Sequence, residues 1–109
     1  MGYSMEFKRA VAAAAVTRLA AGRRTLDVAA RQVLARIGGV VWVTLEDDRK
    51  VKALLDYRKR IMALEQGRAA PPRLAIARFH YDSCLKWAED GHFGPEQSAD
   101  LMMDALLDG

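Results

Sequence analysis

The stretch from residue 4 to residue 22 reads SMEFKRAVAAAAVTRLAAG. Its alanines have strong helix propensity, and their small side chains permit close approach between helices. Ser4 can accept a hydrogen bond from a free N–H group of the first turn, Glu6 suits that turn, and Gly22 suits the end of a helix. This pattern predicts a first helix from about Ser4 to Ala20.

Similar start and stop signals recur along the chain and predict four more helices. Thr25 is a second N-cap, Thr44-Leu45-Glu46-Asp47 resembles a capping box, and Pro95 suits a first helical position. Glycines or Gly-containing turns follow the segments and end them. The predicted helices cover Thr25 to Gly38-Gly39, Thr44 to about Gln66 before Gly67, Pro72 or Arg73 to Asp90, and Pro95 to about Leu107.

Residues 40–43, Val-Val-Trp-Val, are the only stretch with strand character. Four residues cannot form a sheet alone, so they are either a buried connector or half of a ribbon shared by two chains. We therefore predict an all-α fold, a compact bundle of about five helices with a short extended apolar connector at 40–43. The chain, residues 1–109, is expected to form a single helical domain, as a monomer or a homodimer.

The charge of the chain divides into two poles. Residues 1–73 hold fifteen of the seventeen basic residues and seven acidic ones, a net charge of +8. Residues 74–109 hold two basic and seven acidic residues, a net charge of −5. This division favours a partner of opposite charge, or contact between one half and the other.

The cellular compartment is predicted from the cysteine content and the apolar runs. Cys84 is the single cysteine, so no disulfide forms within the chain, as is typical of the reducing cytoplasm. No apolar run approaches the ~20 residues that a membrane-spanning helix needs. We expect a cytoplasmic protein without a membrane partner.

Apolar and basic side chains fall on opposite faces of the predicted third helix. The apolar face consists of Val51, Leu54, Leu55, Ile61 and Met62. The opposite face carries Arg49, Lys52, Lys59 and Arg60, with Asp56 among them. Such a face is most often merely solvated, and the alternative is a docking strip for phosphates or carboxylates.

Arg58 falls in the middle of the apolar face. A buried guanidinium without a partner is very costly. Arg58 must therefore pair with an acid, extend its head group to solvent, or lie in a groove. We expect a carboxylate from the acidic C-terminal third to be its partner.

The predicted fourth helix has a wide apolar arc and one aromatic residue outside it. The arc consists of Leu74, Ala77, Tyr81, Cys84, Leu85 and Ala88. Phe79 falls among polar residues, either as an ordinary exposed aromatic or as an anchor for a partner. The candidate partner-binding residues are Arg49, Lys52, Lys59, Arg60 and Phe79.

The sequence contains no pattern that is typical of catalysis or of cofactor binding. His80 and Cys84 are four residues apart and can face one ion, but two ligands do not make a metal site. A thiol nucleophile with His80 as its base lacks any local signature. We therefore expect no catalytic residue, no cofactor and no metal, and a chain that is not an enzyme.

Two functions fit this pattern. The first is a non-enzymatic binding protein that docks a macromolecule, most simply a protein with an acidic surface, as a regulator, inhibitor or assembly factor. Accessory proteins of phages and mobile elements are often of this kind. The alternative is a dimeric DNA-binding regulator, of the ribbon–helix–helix type with a strand from Val40 to Leu45, or of the helix-turn-helix type. That strand offers no Arg, Lys, Asn or Gln to read bases.

Overall fold

Five helices follow one another along the chain. A computed structural model describes residues 3–42, 44–64 and 71–108, and none of these residues forms a strand. The bundle measures 35 × 34 × 32 Å, which confirms the predicted compact all-α fold. The helices are α1 (Met5–Ala21), α2 (Leu26–Val41), α3 (Asp47–Met62), α4 (Pro72–Asp90) and α5 (Pro95–Asp108).

The predicted caps of α1 and α2 are confirmed. The Ser4 hydroxyl accepts a hydrogen bond from the Phe7 N–H, and the Thr25 hydroxyl accepts one from the Val28 N–H, both at 3.2 Å. At the end of α1, the Gly22 N–H donates to the Leu19 carbonyl at 3.0 Å. These contacts satisfy backbone groups that a helix end leaves free.

The predicted end of α2 at Gly38-Gly39 is wrong, because the helix continues to Val41. Neither glycine has the positive φ that would end a helix. Ile37 and Val41 are both fully buried, and this packing outweighs the weak helix propensity of glycine. The extended connector expected at 40–43 is therefore wrong for residues 40 and 41. Trp42 is the buried C-cap of α2, with φ −142° and ψ 73°, which is neither helical nor fully extended, and residue 43 lies outside the described residues.

The start of α3 also differs from the prediction. Glu46, not Thr44, is the N-cap, and no side chain caps the helix. The Glu46 carbonyl accepts hydrogen bonds from the Arg49 and Lys50 N–H groups, both at 3.0 Å. Asp47 and Asp48 occupy the first turn, where carboxylates suit the positive end of a helix. The predicted extent of this helix to about Gln66 is wrong, because α3 ends at Met62 with Ala63 as its C-cap. The predicted stop residues, 66 and 67, lie outside the described residues.

The core faces of α3 and α4 follow the predicted arcs closely. On α4, Ala77, Tyr81 and Ala88 are buried, and the other members of the arc are half-buried. On α3, Val51, Leu54 and Ile61 are buried and Leu55 is half-buried. Met62 departs from the prediction, since 48% of it is exposed at the last residue of α3.

The first helix is the centre of the bundle. It packs against all four other helices, most extensively against α5 and α4. Seven consecutive residues, Ala10 to Val16, are buried, so α1 is covered on every side. A methyl group at most of these positions lets several helices approach one axis, which larger side chains would prevent. Arg18 also fixes α1 to the start of α5, because its guanidinium donates to the Ser98 hydroxyl at 3.0 Å and the Phe93 carbonyl at 2.7 Å.

Within the described ranges, no helix combines the length and the apolar character needed to cross a bilayer.

Enlarging a central alanine is expected to destabilise the fold. Ala14 is fully buried, so Ala14→Leu forces three extra carbon atoms into a packed interior and lowers the free energy of unfolding by about 1–3 kcal/mol or more. Ala21 lies on the same helix and is exposed, so Ala21→Leu changes it by less than about 0.5 kcal/mol. Urea unfolding followed by circular dichroism measures both, and equal values would contradict the central position of α1.

Candidate functional site

The four basic residues predicted on one face of α3 share an exposed surface. Arg49, Lys52, Lys59 and Arg60, called the basic strip below, are all exposed, opposite the buried side chains of the helix. They extend over twelve residues, or about 16 Å along the helix axis. Asp56 lies among them and is also exposed. The structure therefore confirms that this face is in solvent.

Most other basic residues on the surface have acidic partners nearby. The basic strip differs, because no described carboxylate lies within 4 Å of its nitrogen atoms, Asp56 included. The pairs elsewhere are Arg24–Glu96, Arg31–Asp27 at 2.9 Å, Arg36–Asp100 at 3.3 Å, Arg36–Asp104, Lys50–Asp47 at 3.7 Å, Arg73–Glu6 at 3.5 Å, Arg78–Asp82 at 2.8 Å and Lys86–Asp90 at 3.2 Å.

These pairs explain how the two charge poles meet. Arg24 and Arg36 belong to the basic half of the sequence and pair with three acids of α5. The acidic pole is thus partly neutralised within the fold. The basic strip, in contrast, faces solvent, and the one described carboxylate beside it, Asp56, forms no ion pair with it within 4 Å.

Phe79 lies on a different surface from the basic strip. Arg78, one residue earlier, donates to the Ile61 carbonyl at the end of α3 at 2.9 Å, and each residue of a helix is rotated by about 100° from the last. Phe79 is therefore rotated away from the Arg78 contact, on the side of α4 opposite its buried residues Ala77, Tyr81 and Ala88, and 67% of it is exposed. The structure does not bring it together with the basic residues as one site.

Phe79 instead belongs to an aromatic face formed by α4 and the start of α1. Its ring lies 5.6 Å from His80, which packs edge-on against Phe7 at 4.8 Å. The exposed apolar members of this aromatic face are Tyr3, which stacks on Phe7 at 4.5 Å, Ile76 and Phe79, whereas Trp87 packs against Phe93 near the other end of α4. Sequence reasoning singled out Phe79 but missed Tyr3 and Ile76. The three-residue spacing of Ile76 and Phe79 on one helix was the available signal.

Arg58 has a different partner from the one expected. Its Nε donates to the Thr17 hydroxyl at 2.8 Å, and no acid of the C-terminal third pairs with it. Five of those seven acids are in ion pairs with other basic residues. The Thr17 hydroxyl donates its one proton to the Ala13 carbonyl at 3.2 Å, so the Tyr81 hydroxyl, 2.8 Å away, donates to Thr17. Through Thr17, α3 and α4 are both hydrogen-bonded to α1.

Arg58→Ala is expected to lower the free energy of unfolding by about 1.5–3 kcal/mol, since it removes a hydrogen bond from a charged group in a half-buried site. Arg49→Ala, on the exposed face of the same helix, is the matched control and changes the free energy by less than about 0.5 kcal/mol. Thermal unfolding of both variants measures the difference. Equal melting temperatures would mean that the Thr17 contact contributes nothing to stability.

His80 and Cys84 have the surroundings of core-edge residues. The His80 ring packs between Phe7 and Phe79. Burial raises the pKa of the Cys84 thiol to about 11, so the thiolate that acts as nucleophile or metal ligand is scarce at neutral pH. Among the described residues, no group of three or more His, Cys, Asp or Glu is placed to hold a metal ion.

Cys84 is expected to alkylate slowly in the folded protein. A pKa of about 11 instead of 9.0 lowers the thiolate fraction about a hundredfold at any pH below 9. At pH 8, iodoacetamide should therefore modify the native protein at least about tenfold more slowly than the same chain unfolded in urea. Mass spectrometry follows both rates, and equal rates would contradict the burial of this thiol.

Comparisons with known proteins assign no family. The chain matches no protein-family model, no curated protein and no solved structure. Its function is therefore inferred from the geometry and the charge of its own residues.

Proposed function

We propose that this chain is a non-enzymatic binding protein that docks an acidic surface of a partner protein through the basic strip. It would act as a regulator, an inhibitor or an assembly factor. The observation that carries this proposal is the set of four exposed cations on one face of α3, with no described carboxylate within ion-pair distance. The chain pairs most of its other surface cations internally.

A row of cations on a rigid helix suits recognition of carboxylates. Arginine presents a planar fork of donors that binds a carboxylate with two hydrogen bonds, and lysine adds a compact charge. Positive charges grouped on one surface also attract an acidic protein over a distance and increase its rate of association. The basic strip would thus both orient the partner and increase the rate of association.

The aromatic face would be a second contact area. Phe79 is the most exposed of its large apolar residues, and aromatic side chains are enriched among residues that dominate binding energy. Because Phe79 lies on the side of α4 opposite its buried residues, one partner contacts both areas only if it extends around α4. Phe79→Ala therefore tests the contribution of the aromatic face to binding, separately from the contribution of the basic strip.

DNA binding is the alternative, since the basic strip also suits phosphates. The ribbon–helix–helix arrangement needs a strand from residue 40 to 45, whereas residues 40 and 41 are helical. Of the two DNA-binding forms, the helix-turn-helix remains, with α2 and α3 as its two helices. Against it, Trp42 in the connection is buried under the Arg9 guanidinium, 4.7 Å from the ring centre, whereas such a turn is usually exposed.

Charge reversal on the strip tests the proposal. The triple variant Arg49→Glu, Lys52→Glu, Lys59→Glu should lower the association rate constant with an acidic partner by about tenfold or more at low salt. Proteins captured by the chain from nuclease-treated lysate of its source cells supply candidates, and each is purified for kinetic measurement. Arg60 is left unchanged because it also lines a separate pocket.

The matched control has the same change of net charge elsewhere on the surface. Arg23→Glu, Arg31→Glu, Lys86→Glu reverses three exposed basic residues outside α3 and should retain most of the association rate. Circular dichroism confirms that both variants are folded. Equal loss in the two triple variants, or none in either, would contradict docking by the strip.

A gel shift with random duplex DNA separates the two proposals. Binding that falls with salt, with a log–log slope of about −0.9 per phosphate contacted, and that only the strip variant abolishes would favour DNA. No shift at low salt, together with a purified protein that depends on the strip, would favour the protein partner.

A further inference from the structure

A pocket of about 270 Å³ lies where the start of α1, the end of α3 and the start of α4 meet. We call it the arginine pocket. Its lining includes Glu6, Arg9, Tyr57, Arg60, Arg73 and Leu74. Three guanidinium groups and one carboxylate give these side chains a formal charge of +2. The pocket therefore favours an anion.

The arginines differ in their freedom to contact a ligand. Arg9 is fixed, because its Nε donates to the Val41 carbonyl at 3.2 Å and its guanidinium lies 4.7 Å from the centre of the Trp42 ring. Arg73 is largely exposed, with its Nε 3.5 Å from a Glu6 carboxylate oxygen. Arg60 is exposed and has no ion-pair partner among the described acids. Arg60 and Arg73 are thus the two whose side chains can adjust to an anion.

Tyr57 adds a hydrogen-bond donor that the described residues do not use. Its hydroxyl oxygen is shielded from solvent and has no hydrogen-bond partner there. Burial raises the pKa of this phenol, so the group keeps its proton at neutral pH and can donate it. Buried polar atoms of proteins nearly always have a partner. An anion in the pocket would supply one once the side chains that cover this hydroxyl move aside.

The start of α4 faces the same pocket. Pro71 is the N-cap and Pro72 the first helical residue, and no side chain caps the helix. The next two residues, Arg73 and Leu74, both line the pocket. N–H groups at these positions have no partner within the helix, and the positive end of the helix dipole lies here. Because Pro71 and Pro72 have no N–H groups, the free backbone donors at this end are those of Arg73 and Leu74.

We propose that the arginine pocket binds a phosphate dianion, either free or as the terminal monoester of a small molecule. A phosphate monoester carries a charge of about −1.5 to −2 at pH 7, which matches the +2 of the lining. Its three terminal oxygens can accept from the Tyr57 hydroxyl, from Arg60 or Arg73, and from the N–H groups of α4. A carboxylate offers one charge and two oxygens, and so leaves more of these donors unused.

This inference does not depend on a protein partner. Arg60 belongs to both the basic strip and the arginine pocket, but the strip variant described above leaves it in place. Loss of partner binding in that variant and loss of phosphate binding in the variants below are therefore independent results.

Titration of the full chain with inorganic phosphate, at constant ionic strength set with sodium chloride, tests the proposal. Amide NMR signals of Arg73 and Leu74 should shift and saturate with inorganic phosphate and with glycerol phosphate. Dimethyl phosphate, a diester with a single charge, should bind at least about tenfold more weakly, because the charged donors meet less charge. Saturation by glycerol phosphate alone would assign the pocket to an esterified ligand.

Variants locate the site. Arg60→Gln should weaken phosphate binding about tenfold or more, and Tyr57→Phe about two- to tenfold. Arg23→Gln, at an exposed arginine outside both the arginine pocket and the basic strip, should leave phosphate binding unchanged. Without phosphate, Tyr57→Phe should keep or raise the melting temperature, since it removes a hydroxyl without a partner.

Three results would overturn the proposal. The first is the absence of saturable shifts with either phosphate. The second is equal affinity of Arg60→Gln and Arg23→Gln for phosphate. The third is a lower melting temperature of phosphate-free Tyr57→Phe, which would show that the hydroxyl is bonded within the protein.

Discussion

The packing of α1 is the constraint on which the rest of the structure depends. An unbroken run of seven buried residues leaves this helix no solvent face in its middle, so the other four helices must cover it. Alanine makes this arrangement feasible, because the neighbouring helices can approach the backbone of α1 closely. The cost is that few large side chains fill the centre. The interior therefore relies on close contact between helices, supplemented by the polar contacts of Thr17 and Arg18.

Local signals in the sequence predicted most of the fold. Ser4, Thr25 and Pro95 mark helix starts by chemistry that acts within one turn, so their roles follow from the sequence alone. The end of α2 does not follow from local signals, because the burial of Ile37 and Val41 against other helices overrides two adjacent glycines. Helix propensity predicts little where tertiary packing opposes it.

The sequence predicted only part of the candidate site, because it encodes the faces of single helices but not the contacts between helices. Helical periodicity placed the basic strip on an exposed face, since period alone decides which side chains share a face. It gave no means of relating Phe79 to α3, which depends on how α4 packs against its neighbours. The partner of Arg58 and the convergence of Arg9, Tyr57, Arg60 and Arg73 are likewise contacts between helices distant in sequence, and no spacing rule encodes them.

The central place of α1 has a consequence for synthesis of the chain. Its most extensive neighbours, α4 and α5, lie fifty residues or more downstream. Ribosomes add ~5–20 residues per second, so an apolar alanine-rich segment waits several seconds for the helices that cover it. Throughout that interval the nascent chain exposes a surface that chaperones recognise and that other chains can join. Folding of this small bundle is thus completed only when its last helix has left the ribosome.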